Sequence, residues 1–449
     1  MSILDQAFRM LQKYPLCNHC LGRQFALLGH GIENHERGKA IKTHLALQAH
    51  RDVLNRKKKA IEILQILSTN GFSEVARQIM NKLGEPVPEK EIPKTCFLCR
   101  GKIRITEELT EKALKRLSGY EYNNFLVGTY LPAVIEERED EFKAEFDVCY
   151  GENMRNEIGR TMGKAIANRT GKTVEFRRPE IVVLVNPMRE EIKLQINPIH
   201  VAGRYRKLVR GIPQSKWLCS GCRGKGCEEC NWTGKLYPES VAEIIEGPFL
   251  EETGGASTAF HASGREDIDA RMLGDGRPFV IEVKSPKKRH LDLERLQETV
   301  NSSADGKIEI LNLRMADKDV VRKLKIAEGA QKEYLVTMRF EKETTSKDLK
   351  LLAETLTDTI VKQRTPIRVL HRRADLTRER YIYDVTIKRL SPKKVEMRIH
   401  CQGGLYVKEL VTGDEGRTDP SISGILENRA EPIELDVLDI SMKDYGGLN

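Results

Sequence analysis

The amino-acid sequence predicts a soluble α+β protein with more than one domain. Its 449 residues suggest about three domains. Hydrophobic residues make up 39% of the chain and charged residues 31%, a composition typical of globular proteins. Short apolar or alternating strands occur together with amphipathic helices in residues 105–215 and again from about residue 236 onward. Because both kinds of element recur in both parts of the chain, α+β is the predicted fold class.

The first sixteen residues predict an amphipathic helix rather than a signal peptide. Asp5, Gln6 and Arg9 interrupt the apolar positions, whereas a signal peptide has a continuous apolar stretch. No apolar run in the sequence approaches the roughly 18 residues that a membrane span needs. We therefore expect a cytoplasmic protein.

The cysteines indicate metal sites. Eight of the ten cysteines form four Cys-x-x-Cys pairs, and only Cys149 and Cys401 stand alone. In a long chain without a secretion signal, this spacing favours zinc over disulfides. The two single cysteines are expected to be ordinary buried thiols. The net charge of +9 permits binding to nucleic acid but does not establish it.

The N-terminal segment, residues 1–104, contains two of these pairs. The first pair lies near the start and the second near the end of the segment, and their cysteines are Cys17, Cys20, Cys96 and Cys99. The separation is too long for a compact zinc finger, so we expect the fold to bring two knuckles together around one ion. His19 is an alternative ligand, although a side chain between paired thiolates usually points away.

Residues 105–216 predict a second α/β domain. Residues 125–128, 182–185 and 192–196 have the character of strands, and residues 156–170 that of a helix. The domain ends in a stretch that places cations around a tyrosine, a combination that suits phosphates and an unstacked base. Its candidate RNA-binding residues are Arg204, Tyr205, Arg206, Lys207 and Arg210. A charged loop without ligand is the alternative.

A compact cysteine knuckle occupies residues 217–235. Its two Cys-x-x-Cys units are four residues apart and comprise Cys219, Cys222, Cys227 and Cys230. Four thiolates close a tetrahedral zinc site, so the predicted ion is structural. A chaperone-type zinc repeat would need four such units. A zinc deaminase would need a His-x-Glu motif, which is missing from the sequence.

Residues 236–449 predict the third domain. Its candidate strands include residues 279–283, 308–311, 334–340, 381–385 and 395–399, and Lys347–Val361 has the apolar spacing of a helix. The chain has no Gly-x-Gly-x-x-Gly turn leading into a helix and no Walker-type loop. This disfavours nucleotide or S-adenosylmethionine cofactors.

A charged turn precedes the strand at 279–283. It includes Gly264, Arg265, Asp267 and Asp269 between two glycine-marked turns. A rigid strand can fix the positions of charged groups beside it, which is why catalytic residues often lie in such turns. The alternative is a solvated loop with surface ion pairs.

Several motifs occur in the order found in one enzyme family. Gly264-Arg265-x-Asp267 resembles the active-site motif of TruA-type pseudouridine synthases. Lys332-Glu333-Tyr334 resembles the family's tyrosine-bearing strand, and Gly403–Leu410 resembles the TruB-type Gly-x-Tyr-Ile-Arg segment, with Lys408 in place of arginine. Residues 178–183 and 203–208 resemble the two ends of a THUMP domain. Together they resemble the archaeal and eukaryotic tRNA pseudouridine synthases with an N-terminal THUMP domain.

The resemblance implies a fold and a set of roles. The fold is a zinc-containing THUMP-type RNA-binding region followed by a catalytic domain on a mixed, mainly antiparallel sheet. The reaction converts uridine 54, 55 or both in the T-arm of tRNA to pseudouridine, without an organic cofactor. Asp267 is implied as the nucleophile or base, Lys408 as its partner, Tyr334 as the residue stacking on the base and Arg265 as the residue filling the gap left by a flipped nucleotide. The register selects Asp267 over Asp269, while Tyr381 remains an alternative to Tyr334.

Further basic residues near position 370 are interpreted as contacts to the RNA backbone, and they include Arg368, Arg372 and Arg373. A basic surface loop is the alternative. For the whole chain, one alternative is a non-catalytic tRNA-binding or chaperone-like zinc protein. Another is a THUMP-bearing methyltransferase or thiolase, which the missing glycine-rich loop disfavours.

Overall fold

A computed structural model describes residues 2–57, 59–87, 89, 93, 95–326 and 329–441. The chain divides into two compact units, one ending at Asn197 and the other beginning at Pro198. Within the described residues, no helix is both long and apolar enough to cross a membrane.

The first unit combines a helical N-terminal part with a small sheet. Its helices are α1 (Ile3–Lys13), α2 (Asn18–Gly22), α3 (Asn34–Leu54), α4 (Ala60–Ser68), α5 (Glu74–Lys82), α6 (Thr106–Leu117), α7 (Ala133–Glu145) and α8 (Met154–Thr170). Helix α1 begins where the sequence predicts it, because Ser2 and Asp5 form a capping box. Helix α8 also matches its prediction and ends at Gly171, which has a left-handed backbone with φ of 68°.

The small sheet has the strand order β2–β1–β3–β4. Its strands are β1 (Asn124–Thr129), β2 (Thr173–Val174), β3 (Ile181–Asn186) and β4 (Glu191–Ile196). Strand β1 runs parallel to β2 and β3, and β4 is antiparallel to β3. Apolar side chains of β1 and β3 are buried together with one face of α8, as their alternating and helical periodicities predict.

The second unit is organised around one large, mainly antiparallel sheet. Its strands are β5 (Ile199–Lys207), β6 (Ser257–Ala262), β7 (Ala270–Lys284), β8 (Ile308–Ala316), β9 (Lys332–Phe340), β10 (Thr359–Arg364), β11 (Thr377–Ser391), β12 (Lys394–Cys401), β13 (Thr418–Asp419) and β14 (Ala430–Ile440). The order along the sheet is β13–β10–β11–β12–β9–β14–β7–β5–β8, with β6 also paired to β7. The β14–β7 pair is parallel, so the sheet is mixed, as predicted.

The helices of this unit are α9 (Val241–Thr253), α10 (Leu293–Ser303), α11 (Lys318–Ile326), α12 (Ser346–Leu356), α13 (Val407–Thr412) and α14 (Ile422–Leu426). The predicted helix at 347–361 is too long by about one turn, because Thr357 leaves the helical conformation and Ile360 lies in β10. The apolar spacing runs through both elements and hides this boundary.

Strand β7 joins the two halves of the sheet. Its first residues pair with β14, its residues from Arg277 onward pair with β5 and β6, and Met272 pairs with both β14 and β5. Gly274 and Gly276 lie at the change of partner, both with positive φ. A Cβ at Gly276 would come within 2.7 Å of the Tyr205 carbonyl oxygen, so this close approach of two backbones requires glycine. The turn at 263–269 thereby lies between the two halves.

One prediction about domain boundaries is wrong. The sequence pattern places residues 199–207 in the second domain, with a boundary at 216, but they form β5 between β7 and β8 of the second unit. The basic residues that suggested a surface loop obscured the strand, because buried cations are uncommon in sheet interiors.

Candidate active site

A pocket of about 150 Å³ opens in the second unit at the turn that precedes β7. Residues from five parts of the chain line it: the turn at 264–270, strand β9, the segment 368–373, the segment 404–408 and strand β14. Asp267, Tyr334, Lys408 and Arg265, which are far apart in the sequence, all belong to this lining. The pocket therefore brings together the four residues proposed for catalysis.

A buried ionic cluster holds the turn in place. Arg277 Nε lies 2.8 Å from Glu266 Oε2, and both side chains are almost completely buried. The Tyr205 hydroxyl donates to Glu266 Oε2 at 2.9 Å, and Arg277 Nη1 donates to the Ser263 carbonyl at 2.7 Å. Satisfied buried networks of this kind rigidify their surroundings, so Glu266 anchors the turn one residue before Asp267.

Lys207 fixes the backbone of the same turn. Its buried ammonium donates to the carbonyl oxygens of Asp267 at 3.0 Å and Ile268 at 3.1 Å. Burial lowers the pKa of Lys207, although the carboxylate of Glu266 opposes that shift. The lysine acts on the main chain and leaves the carboxylate of Asp267 directed into the pocket.

We expect the replacement Arg277→Met to destabilise the second unit strongly. It would remove the closer of the two cations beside the buried carboxylate of Glu266 and leave Lys207 at 4.0 Å, and breaking a buried ion pair typically costs about 3–5 kcal/mol. Chemical unfolding of this variant should be compared with that of Arg429→Met, whose ion pair with Glu431 is exposed and should contribute little. Equal stability of the two variants would contradict the importance of the cluster.

Two cations hold the carboxylate of Asp267. Arg368 places Nη2 at 3.2 Å from Oδ2 and Nη1 at 3.4 Å from Oδ1, and Lys408 Nζ lies 3.4 Å from Oδ2. Asp267 retains about a third of its side-chain exposure. Positive charge therefore faces this carboxylate from two sides in a partly enclosed site.

Arg368 is itself positioned by α13. Its Nε donates to Glu409 Oε1 at 2.7 Å, and the Glu409 side chain is only 6% exposed. Partial burial lowers the pKa of Arg368, but Glu409 and Asp267 more than compensate, so the pKa of the guanidinium is raised. The prediction placed Arg368 against the RNA backbone, whereas the structure directs this side chain to Asp267.

Lys408 binds Asp269 more closely than Asp267. Its Nζ lies 2.7 Å from both carboxylate oxygens of Asp269. Partial burial tends to raise the pKa of Asp269, but the hydrogen bond and charge of Lys408 outweigh it, so the pKa is lowered. The predicted pairing of Lys408 with Asp267 is present, and sequence reasoning missed that the two aspartates share this lysine.

The two candidate tyrosines lie in different surroundings. Tyr334 lines the pocket from β9, and burial raises the pKa of its phenol, with a smaller contribution from Cys401. Tyr381 lies on β11, where its hydroxyl donates to Asp358 and its ring contacts Tyr383 edge-on. Of the two, Tyr334 is the residue that shares the pocket with Asp267.

Two of the other arginines predicted to belong to the site lie at the pocket. Arg265 and Arg373 line the pocket; the Arg265 guanidinium lies 5.7 Å from the centre of the Trp217 ring, and Arg373 donates to the Tyr406 hydroxyl at 3.1 Å. Arg372 ends a short 3₁₀ helix, and its side chain lies outside the described part of the structure.

The predicted RNA-binding stretch on β5 needs correction. Arg204 is 8% exposed and donates to the carbonyls of Asp275 and Gly276, while Tyr205 and Lys207 are completely buried. Arg206 pairs with Glu309, and Arg210 donates to Asp436 and to main-chain carbonyls. These side chains hold the sheet and the turn together, which excludes the three buried ones from an RNA surface.

Each predicted cysteine group comes together in the structure. In both groups, one in each unit, the four sulphur atoms lie within 4.8 Å of one another. Measured separations include 3.7 Å between Cys17 and Cys99 and 3.8 Å between Cys219 and Cys227. Tetrahedral coordination at about 2.3 Å requires sulphur atoms about 3.8 Å apart. Both groups therefore have the spacing of a four-thiolate metal site. The expected burial of the single thiols holds for Cys401 but not for Cys149, which is exposed.

Comparison with known proteins identifies the family. A family model described as "Pus10, C-terminal" matches residues 200–441, and one described as "Pus10 THUMP domain, archaeal" matches residues 109–186. The chain belongs to the Pus10 family. The C-terminal Pus10 match begins two residues after Pro198, in agreement with the observed start of the second unit.

Curated relatives match nearly the whole chain. A protein of Methanocaldococcus jannaschii named tRNA pseudouridine synthase Pus10 is 46% identical over an alignment of 444 positions, which covers 96% of this chain and 93% of the relative. Proteins with the same name from Methanothrix thermoacetophila and Pyrococcus furiosus are 40% and 37% identical, covering 98% and 100% of this chain and 94% and 100% of their own. Among solved structures, one chain of a Cbf5-Nop10-Gar1 complex is 14% identical to this protein. The match covers 52% of this chain and 47% of the other chain. Its TM-score of 0.29 is too low to carry a structural conclusion.

Proposed function

We propose that this protein is a tRNA pseudouridine synthase that acts on the T-arm, at position 54, 55 or both. The observation that supports this most directly is the pocket itself, in which Asp267 is held by Arg368 and Lys408 beside Tyr334. The Pus10 family membership and the names of the curated relatives indicate the reaction and the kind of RNA.

The reaction needs no other reactant. The bond between N1 of the base and C1′ of the ribose breaks, the base turns, and a bond forms between C5 and C1′. The proton on C5 is lost and N1 gains one, so atoms and electrons balance without oxidant, reductant or donor group. The protein has to hold one uridine, supply a nucleophile and guide one proton.

Asp267 is the proposed nucleophile. Its carboxylate lies in the pocket, where the Arg368 guanidinium and the Lys408 ammonium hold it in place. The buried Glu266–Arg277 pair and Lys207 hold its backbone, which preorganises its position before substrate enters. Attack through this carboxylate can proceed at either C1′ of the ribose or the base ring.

Tyr334 and Arg265 are proposed to handle the base. A uridine in a folded T-loop has to be flipped out to enter the pocket, and an aromatic ring is suited to stack on it. Burial raises the pKa of the Tyr334 phenol, so the hydroxyl remains protonated near neutral pH and can donate to the base. Arg265 has the length and charge to occupy the space that the base leaves.

We expect the replacement Tyr334→Ala to reduce pseudouridine formation by about 10–100-fold, the effect of removing a stacking partner from one base. Tyr381→Ala is the matched control, because its ring contacts Tyr383 on β11, and it should retain near wild-type activity. Initial rates at saturating tRNA measure both. A larger loss in the Tyr381 variant would reverse the assignment of the two tyrosines.

The two cysteine groups are proposed to bind structural zinc. Each offers four sulphur ligands and leaves no position for substrate, which suits a structural rather than a catalytic ion. Backbone amides also donate to the sulphurs, for example Gly226 and Gly234 in the second group. Such hydrogen bonds stabilise metal-bound thiolates.

Metal analysis of the purified protein should find two zinc ions per chain. The double variant Cys219→Ser/Cys222→Ser should retain one, because the cysteines of the first group lie in the separate first unit. If the two units unfold separately, the unfolding transition of the first unit should be the same in this variant as in the wild type. A wild-type content near zero would contradict both sites.

The function is tested by incubating the protein with unmodified tRNA transcript and no added cofactor. Carbodiimide treatment followed by primer extension should produce a stop in the T-loop, and its position distinguishes residue 54 from 55. Tight binding of tRNA without a stop would contradict the proposal and favour a non-catalytic tRNA-binding zinc protein.

A further inference from the structure

The knuckle at residues 217–235 exposes a large aromatic side chain. Trp232 is 73% exposed, although an indole usually prefers burial. Its backbone has φ of 62°, and the preceding Asn231 has φ of 51°. A bulky residue is seldom found in this left-handed conformation, where glycine or asparagine is favoured, and such outliers concentrate at functional positions.

The cysteine group holds this conformation. The Trp232 amide donates to the Cys227 carbonyl at 2.8 Å, and the Thr233 amide donates to the Cys230 carbonyl at 3.1 Å. A Cβ at Gly226 would come within 2.8 Å of the Trp232 carbonyl oxygen, so the glycine turn packs directly on the backbone that carries the indole. These contacts therefore fix the backbone at Trp232, and its indole is exposed to solvent.

Two cations lie in the turn that packs on the backbone of Trp232. Arg223 and Lys225 are exposed, and neither has an ion-pair partner within the described ranges. The two nearby glutamates do not pair with these cations: the Glu229 carboxylate lies against Gly221, and Glu228 is exposed. An aromatic face with nearby free cations is the combination that binds unpaired nucleotides through a base and a phosphate.

The two ends of the knuckle lie together beside the candidate active site. Leu218 and Lys235 pair in an isolated antiparallel β-bridge, and the Leu236 amide donates to the Trp217 carbonyl at 3.0 Å. The Trp217 ring contacts the Tyr237 ring edge-on, and the Arg265 guanidinium lies over it at 5.7 Å. Because Arg265 also lines the pocket, the knuckle is connected directly to the turn that carries Asp267.

We propose that the knuckle is an RNA-binding arm in which Trp232 stacks on an unpaired base of the substrate tRNA, while Arg223 and Lys225 contact its phosphates. This inference rests on the proposed function for the choice of RNA. The arm would position the substrate relative to the pocket, so it should contribute to binding and not to the chemical step.

The sequence provides a direct spectroscopic test, because the chain has two tryptophans. In the variant Trp217→Phe, Trp232 is the single tryptophan, and an aromatic ring is kept below Arg265. Titration with tRNA transcript should quench its fluorescence with the same midpoint as binding. A blunt RNA duplex of similar length should quench much less. No quenching by tRNA, or equal quenching by the duplex, would overturn stacking by Trp232.

Kinetics provide the second test. Trp232→Ala should raise KM for tRNA about ten-fold, the scale of one lost stacking contact, and leave kcat nearly unchanged, whereas Trp232→Phe should restore KM. Leu351→Ala, which removes an exposed apolar side chain from α12, is the control. If the wild type forms pseudouridine and Trp232→Ala has an unchanged KM, the arm is refuted and the proposed function stands. If tRNA quenches Trp232 but no pseudouridine forms, the arm stands and the proposed function fails.

Discussion

Replacing Asp267 by asparagine is expected to lower the rate of pseudouridine formation by at least about 10³-fold, as seen when enzymes lose a nucleophile. The substitution keeps the shape of the side chain but removes the charge that faces Arg368 and Lys408. Binding of tRNA should stay close to that of the wild type, because one side chain in the pocket contributes little to a large RNA interface. Single-turnover rates and a filter-binding titration measure the two effects separately.

Asp269→Asn is the matched control for this variant. Asp269 lies two residues away, shares Lys408 with Asp267 and is 67% exposed, so the variant changes the same charge near the same pocket. Its rate should fall by no more than about ten-fold, since exposed ion pairs contribute little. If Asp269→Asn is inactive and Asp267→Asn retains turnover, the nucleophile is Asp269.

Replacing Arg368 by glutamine is expected to reduce kcat by about 10²-fold or more. The variant removes the guanidinium that faces both oxygens of Asp267, and a small misplacement of a reacting group can cost that much. Arg368→Lys should recover little, because an ammonium cannot reproduce the two-pronged contact. Steady-state kinetics on tRNA separate kcat from KM.

The salt dependence of tRNA binding distinguishes the two interpretations of Arg368. A phosphate contact, as predicted from the sequence, would lower the slope of log K against log salt concentration by about one when it is lost. An internal ion pair with Asp267 and Glu409 predicts an unchanged slope together with a low kcat. A reduced slope with normal kcat would refute the internal role.

The sequence predicted the pocket better than it predicted the contacts around it. Asp267, Tyr334 and Lys408 stand in recognisable motifs, and their order in the chain led to one family. Arg368 was assigned to RNA because it lies among other arginines. Its partner Glu409 is 41 positions away, and no local pattern indicates that α13 lies beside the segment 367–372.

The stretch Gly203–Gly211 shows why a basic sequence can mislead. Alternating arginine, tyrosine and lysine suggested an exposed RNA-binding loop, yet Arg204 and Lys207 satisfy buried carbonyls and Tyr205 binds Glu266. A glutamate in the charged turn, 61 residues after Tyr205, makes this burial possible. Pairing over such distances depends on sheet topology, which charge patterning does not reveal.

Release of the proton at C5 tests most directly whether Asp267 catalyses pseudouridine formation. A tRNA transcript containing uridine with tritium at C5 is incubated with wild-type protein and with Asp267→Asn, both without added cofactor. We expect the wild type to release one or two tritium atoms per tRNA to water, and the variant to release essentially none. Equal release by both proteins, or no release by a wild-type protein that binds the transcript, would contradict this expectation.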